Sequence, residues 1–122
     1  MLHHVTLEVR TGDLPEDGRF WVLAGFERVP VPEALGAGYS WFEKGGTQIH
    51  LLETDDPVIP ATGHVAVVAP DFEETMVRLA EGGFAPEERR PLWGERRAKV
   101  TCPSGHVVEL MAAPPTRSAK SA

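Results

Sequence analysis

From His4 the chain alternates: Val5, Leu7 and Val9 are apolar while His4, Thr6 and Glu8 are polar, the period-two signature of a strand with one face in a core. The segment Asp13 to Leu23 opens on Asp-Leu-Pro-Glu, sets Leu14, Trp21 and Val22 at helical spacing and stops at Gly25, which predicts a helix despite Gly18. Tyr39 to Glu43 and Thr47 to Glu53 then read as a hairpin around Lys44-Gly45-Gly46. A second alternating strand starts at His64, with Val65, Val67 and Ala69 on its apolar side. A second helix follows: Phe72, Met76, Leu79 and Ala80 make one apolar stripe, Asp71 and Glu74 suggest a capping box, and Gly82-Gly83 ends it. Strands are expected near Arg96 to Thr101 and His106 to Met111, separated by Pro103-Ser104-Gly105.

The same order of elements occurs twice. His4 and His64, Gly25-Phe26 and Gly83-Phe84, Gly46 and Gly105, and His50 and Glu109 are related by offsets of 58 to 60 residues. The expected organisation is therefore one domain over 1–113: a first module of about 1–53, a linker at 54–63, and a second module of about 64–113. Residues 114–122 read as a flexible tail. One helix per module with several strands implies an α+β fold, with helices on one face of curved mixed sheets and an open cup on the other.

Alternation then selects candidate chemistry. His4, His50, His64 and Glu109 each sit opposite their strand's apolar residues, at repeat-related positions on the first and last strand of each module. Three imidazoles and a carboxylate suit one divalent transition metal (Zn, Ni, Co, Fe or Mn) better than Ca or Mg, which favour oxygen shells. By the same alternation His3 and His106 face the helix-covered side and read as structural. Arg97, Lys99 and Thr101 turn toward the cup. The repeat maps Phe42 onto Thr101, so Phe42 is expected in the cup and Trp41 in the core. Trp93, beside Gly94, is a candidate lid over the pocket or a plug between modules. Residues 86–99 hold five basic and three acidic side chains, a local excess of positive charge that a bound carboxylate or phosphate would explain.

Composition narrows the partners. With 12 Lys+Arg against 18 Asp+Glu the 122-residue chain carries a net charge of −6, opposite to a nucleic-acid footprint. No apolar run is long enough to span a membrane. One cysteine, Cys102, makes no internal bridge and is expected to be buried and inert. Met1-Leu2-His3-His4 has neither a signal-peptide nor a transit-peptide pattern, so the expected compartment is the cytoplasm and the expected partner a small molecule.

The opening H-V-x-L-x-V, the Gly-Phe after the first helix, Q-I-H-L-L-E, the second G-H-V-A-V-V and the closing P-S-G-H-V-V-E-L together resemble the vicinal oxygen chelate superfamily. Glyoxalase I, extradiol dioxygenases, fosfomycin-resistance enzymes, an epimerase and bleomycin-resistance proteins belong to it. The resemblance implies paired βαβββ modules cupped around one divalent metal, with ligand positions at His4, His50, His64 and Glu109 and Glu109 as a candidate catalytic base. It also implies pairing of modules across a homodimer, with ligands from two chains. Lys99 and Cys102 stand where extradiol dioxygenases carry Tyr and Asp, and His50 where glyoxalase I carries Glu. The expected activity is glyoxalase-like proton transfer on a small, anionic substrate with vicinal oxygens. A metal-dependent dioxygenase and a non-catalytic antibiotic-binding protein are the alternatives.

Overall fold

The computed structural model describes residues 1–116. The first module comprises β1 (His4–Arg10), α1 (Leu14–Leu23), β2 (Glu27–Val29), a 3₁₀ turn (Glu33–Leu35), β3 (Tyr39–Lys44) and β4 (Thr47–Thr54). The second comprises β5 (Val65–Val68), α2 (Phe72–Glu81), β6 (Glu87–Arg89), β7 (Arg97–Thr101) and β8 (Val107–Met111). Each module forms a four-stranded mixed sheet of the same topology, β1-β4-β3-β2 and β5-β8-β7-β6. β1 runs parallel to β4 and β5 to β8, and the remaining pairs are antiparallel. The fold is α+β with two βαβββ modules, as the repeat implies. The short strands β2 and β6 lack an alternating pattern of their own and carry no sequence signal. Of the expected tail, residues 117–122 lie outside the described residues.

Both helices end alike. Gly25 and Gly83 take positive φ (105° and 93°), and the amides of Phe26 and Phe84 turn back to the carbonyls of Trp21 and Leu79 (3.0 and 2.9 Å). A side chain at that conformation clashes with its own backbone, which is why the Gly-Phe pair recurs. Gly18, a weak helix former, is explained by packing: a Cβ there would stand 2.9 Å from Phe42 Cζ. The capping box does not form. Asp71 caps nothing; its carboxylate accepts a hydrogen bond from Arg78 (3.0 Å), which holds its pKa below the usual carboxylate value.

The apolar faces of both sheets meet the helices in one core. Leu7, Val9, Phe42, Ile49 and Leu51 from the first sheet and Ala98, Val100, Val108 and Leu110 from the second pack with Phe20, Trp21, Phe72 and Leu79. Each large side chain buried there contributes roughly 1.5–3 kcal/mol relative to exposure. Polar ties also join the modules: Ser104 N–H donates to the buried Asp17 carboxylate (3.0 Å), and His106 Nε2–H to the Glu8 carbonyl (2.8 Å). His106 is thus structural, as expected. Burial raises the Cys102 thiol to about 11, which keeps it protonated and unreactive. No helix among the described residues is long and apolar enough to cross a membrane.

Candidate metal centre

The face of each sheet turned away from the core carries the candidate ligands, in two pairs. His64 and Glu109 form the first. His64 precedes β5, Glu109 lies on the neighbouring β8, and His64 Nε2 stands 3.4 Å from Glu109 Oε1. The Thr62 carbonyl is 2.9 Å from His64 Nδ1 and accepts only from an N–H, so Nδ1 carries a proton and Nε2 is the nitrogen that faces the carboxylate. The contact is an ion pair when Nε2 carries a proton and a two-donor half-site for a metal ion when it does not. Two donors each about 2.1 Å from a tetrahedral ion stand roughly 3.4 Å apart, so the observed spacing fits. The other Glu109 oxygen is held by Arg97 Nη1 at 3.2 Å, with both side chains largely buried.

His4 and His50 form the second pair, on β1 and β4. Their rings are stacked, with centroids 4.0 Å apart and planes 13° from parallel. His50 is also stacked on Trp41 (3.8 Å, 4°), is only 6% exposed, and has its Nε2 2.7 Å from Gln48 Oε1. Burial first, then the neighbouring His4 and His3, lower its pKa to about 4, so it is neutral at physiological pH. His4 Nδ1 lies 3.0 Å from His3 Nδ1. Among the described residues, no group of three or more His, Cys, Asp or Glu side chains converges. The chain therefore brings His64 to Glu109 and His4 to His50 without assembling all four.

Lys99 and Thr101 share with Thr62, His64, Glu87 and Arg89 a cavity of about 540 Å³. Arg97 faces the same side, but Glu109 and the Arg90 carbonyl (3.0 Å from its Nε) engage it. Lys99 lies between Glu87 on β6 and Glu109 on β8 in the sheet register. Trp93 is outside this cavity; its indole N–H donates to the Ala113 carbonyl (3.0 Å).

Two expectations are corrected. Phe42 is fully buried under α1, and its neighbour Trp41 occupies the open face instead. The β3–β4 hairpin pairs Phe42 with Ile49 and Trp41 with His50, whereas β7–β8 pairs Lys99 with Glu109. The structural equivalent of Trp41 is Lys99, and aligning Phe42 with Thr101 slipped the strand by one residue, which reverses every side chain. His3 is not helix-covered: it is exposed ahead of β1, with its carbonyl accepting from Gln48 N–H (2.7 Å). The alternation fails there because His3 is not part of a strand. Gln48, Glu43, Thr62 and Arg89 were not singled out as site residues. The pairing implied by a two-residue Gly45-Gly46 turn is the signal that finds Trp41, Glu43 and Gln48.

Two tandem βαβββ modules, with ligand-type residues on the open faces of their sheets, are the fold of the vicinal oxygen chelate superfamily, and the resemblance seen in the sequence holds in three dimensions. No family model and no curated protein matches the chain. Among solved structures, a Bacillus anthracis protein assigned to the glyoxalase family superposes with a TM-score of 0.80 at 26% identity, over 91% of this chain and 93% of that one. The fosfomycin resistance protein FosX of Listeria monocytogenes, as an E126Q mutant with Mn(II) and 1S,2S-dihydroxypropylphosphonic acid, gives 0.75 at 21% identity over 100% and 98%. The oxidase ChaP-H2 gives 0.74 at 20% identity over 94% of each chain.

Proposed function

We propose that the protein is a metal-dependent enzyme that chelates vicinal oxygens of a small, anionic substrate for glyoxalase-like proton-transfer chemistry. The observation that carries this reading is the His64–Glu109 pair: a buried carboxylate and an imidazole nitrogen, each side chain fixed by a partner, at a spacing that one divalent ion fits. His4 is the further ligand, supplied by a second copy of the chain. Two half-sites on separate sheets, each sheet ending on an edge strand (β1 and β5), support a homodimer that joins them.

A divalent ion so held supplies Lewis-acid stabilisation of the negative charge that develops on chelated substrate oxygens. This chain's own residues do the rest. His64 and Glu109 orient the donors, and Glu109 balances charge through Oε1. Arg97 holds Oε2, which restrains the carboxylate with Oε1 toward the ion; Glu109 would act as a base only on releasing the ion from Oε1. Lys99 and Arg89 line the adjoining cavity and offer an anion a cationic wall, with the Thr101 hydroxyl as a hydrogen-bonding group. A substrate carboxylate or phosphonate bound there places its neighbouring oxygens beside His64. The antibiotic-binding alternative needs no such pair; a metal-dependent oxygenase would use the same pair, and Lys99 in the adjoining cavity, where extradiol dioxygenases carry Tyr, favours proton transfer over ring cleavage.

Elemental analysis of protein purified without chelators tests the reading. The expected result is one divalent transition ion per chain, lost in the His64→Ala/Glu109→Gln double variant with the fold retained. Full occupancy in that folded variant overturns the assignment.

A further inference from the structure

We infer that His50 is a positioning residue and not a metal ligand: it is the central plate of a Trp41–His50–His4 stack that sets the plane of the His4 ring. The inference rests on the metal-site reading above and narrows its ligand set to His4, His64 and Glu109.

Geometry excludes His50 and His4 from sharing one ion. An imidazole nitrogen directs its lone pair in the plane of the ring, so an ion bound by two imidazoles lies where their planes meet. Rings 4.0 Å apart and inclined by 13° have planes that meet only roughly 18 Å away, far beyond a bond of about 2.1 Å. The hydrogen bonds point the same way. Gln48 Nε2 donates to Glu43 Oε1 (2.9 Å), so the amide turns its oxygen to His50, where Nε2 lies 2.7 Å away. An amide oxygen accepts only from an N–H, so His50 is the Nε2–H tautomer. In His64 the other nitrogen is the tied donor: Nδ1–H donates to Thr62, and Nε2 faces Glu109. His4 Nδ1 is engaged by His3 Nδ1 (3.0 Å), a contact that an N–H of either ring can make, so this hydrogen bond leaves the tautomer of His4 open.

The chain Glu43–Gln48–His50 thus fixes a ring whose two faces are covered by Trp41 and His4. Its position on the ligand face, and its place in the repeat opposite Glu109, make it look like a fourth ligand. The stack gives it another task. A mobile His4 would lose rotamer freedom on binding metal; a plate under its ring removes that loss beforehand.

Histidine nitrogen NMR and a zinc titration test the inference. In the metal-free protein we expect the Nε2–H tautomer for His50 and a protonated Nδ1 for His64. Zinc should then move the Nε2 resonances of His4 and His64 to coordinated values and leave both His50 nitrogens unshifted. His50→Phe keeps a flat plate without nitrogen and should hold zinc affinity within about threefold, whereas His50→Ala should weaken it at least tenfold. An Nδ1–H tautomer at His50, a zinc-coordinated His50 nitrogen, or equal losses in the Phe and Ala variants overturns the inference. Failure of the wild-type protein to bind zinc would instead refute the metal-site reading, and the tautomers in the metal-free protein would still decide the role of Gln48.

Discussion

Arg97→Met should destabilise the metal-free protein and make it more responsive to metal. Arg97 Nη1 is 3.2 Å from Glu109 Oε2, and the two side chains are only 14% and 11% exposed. At an effective dielectric of about 20 the gross attraction is about 5 kcal/mol, of which desolvation of both groups cancels a large part. The hydrogen bond from Arg97 Nε to the Arg90 carbonyl adds about 1 kcal/mol. Methionine preserves the stem and leaves the buried Glu109 without its guanidinium partner. The expected loss is about 2–3 kcal/mol, or roughly 8–12 °C in Tm for a domain of this size. A divalent ion at the His64–Glu109 pair supplies the missing positive charge and no longer meets a fixed cation nearby. Zinc or manganese should therefore raise the Tm of Arg97→Met more than that of the wild type, and bind it about tenfold or more tightly. Differential scanning calorimetry with and without metal, paired with a metal titration, measures both. Equal metal-induced shifts in the two proteins would refute the argument that Arg97 and the ion share one carboxylate.

Three further outcomes follow from the same geometry. Lys99→Met should weaken binding of a carboxylate or phosphonate ligand by roughly 1–3 kcal/mol while leaving metal affinity level or higher, because Lys99 lines the cavity beside His64; titration calorimetry showing unchanged ligand affinity would remove Lys99 from the site. The unfolded His50 imidazole takes a proton below about 6.5 and the folded one only near 4, so its contribution is intact above pH 6.5 and is lost as pH falls toward 4, on the order of 2 kcal/mol in metal-free protein; urea unfolding of His50→Phe should lack that slope. Gly18→Ala should destabilise by about 1–2 kcal/mol in chemical denaturation although alanine is the better helix former, since its methyl would meet Phe42 Cζ at 2.9 Å; a stabilised variant would show that α1 can shift off the sheet.

The modules were legible because each apolar alternation and each Gly-Phe helix stop occurs twice, and both follow from local chemistry. The pairing of His64 with Glu109 was legible for the same reason: strand parity alone puts both on the face away from Val65 and Val108. What parity cannot supply is register between strands. Trp41 and Phe42 were exchanged because the repeat was aligned across hairpins of unequal length, a two-residue turn at Gly45-Gly46 against a five-residue connection from Cys102 to His106. The stack at His50 was hidden too, since ring planes depend on side-chain torsions that no periodicity encodes. Strands β2 and β6, three residues each, were invisible because alternation needs more positions than they have. Asp71 and Glu74 matched the capping-box pattern, yet Arg78 competes for the Asp71 carboxylate from one face of the same helix.

The central claim is that one ion is held by His64 and Glu109 of one chain and His4 of another. Mixing two variants that each lack metal, His4→Ala and His64→Ala, tests it most directly. After co-refolding, a dimer of one His4→Ala and one His64→Ala chain contains one intact site and one that lacks both histidines. Metal should return to about a quarter of the total sites in the mixture and to neither variant alone. A mixture that stays metal-free while wild-type protein binds one ion per chain would contradict the shared site.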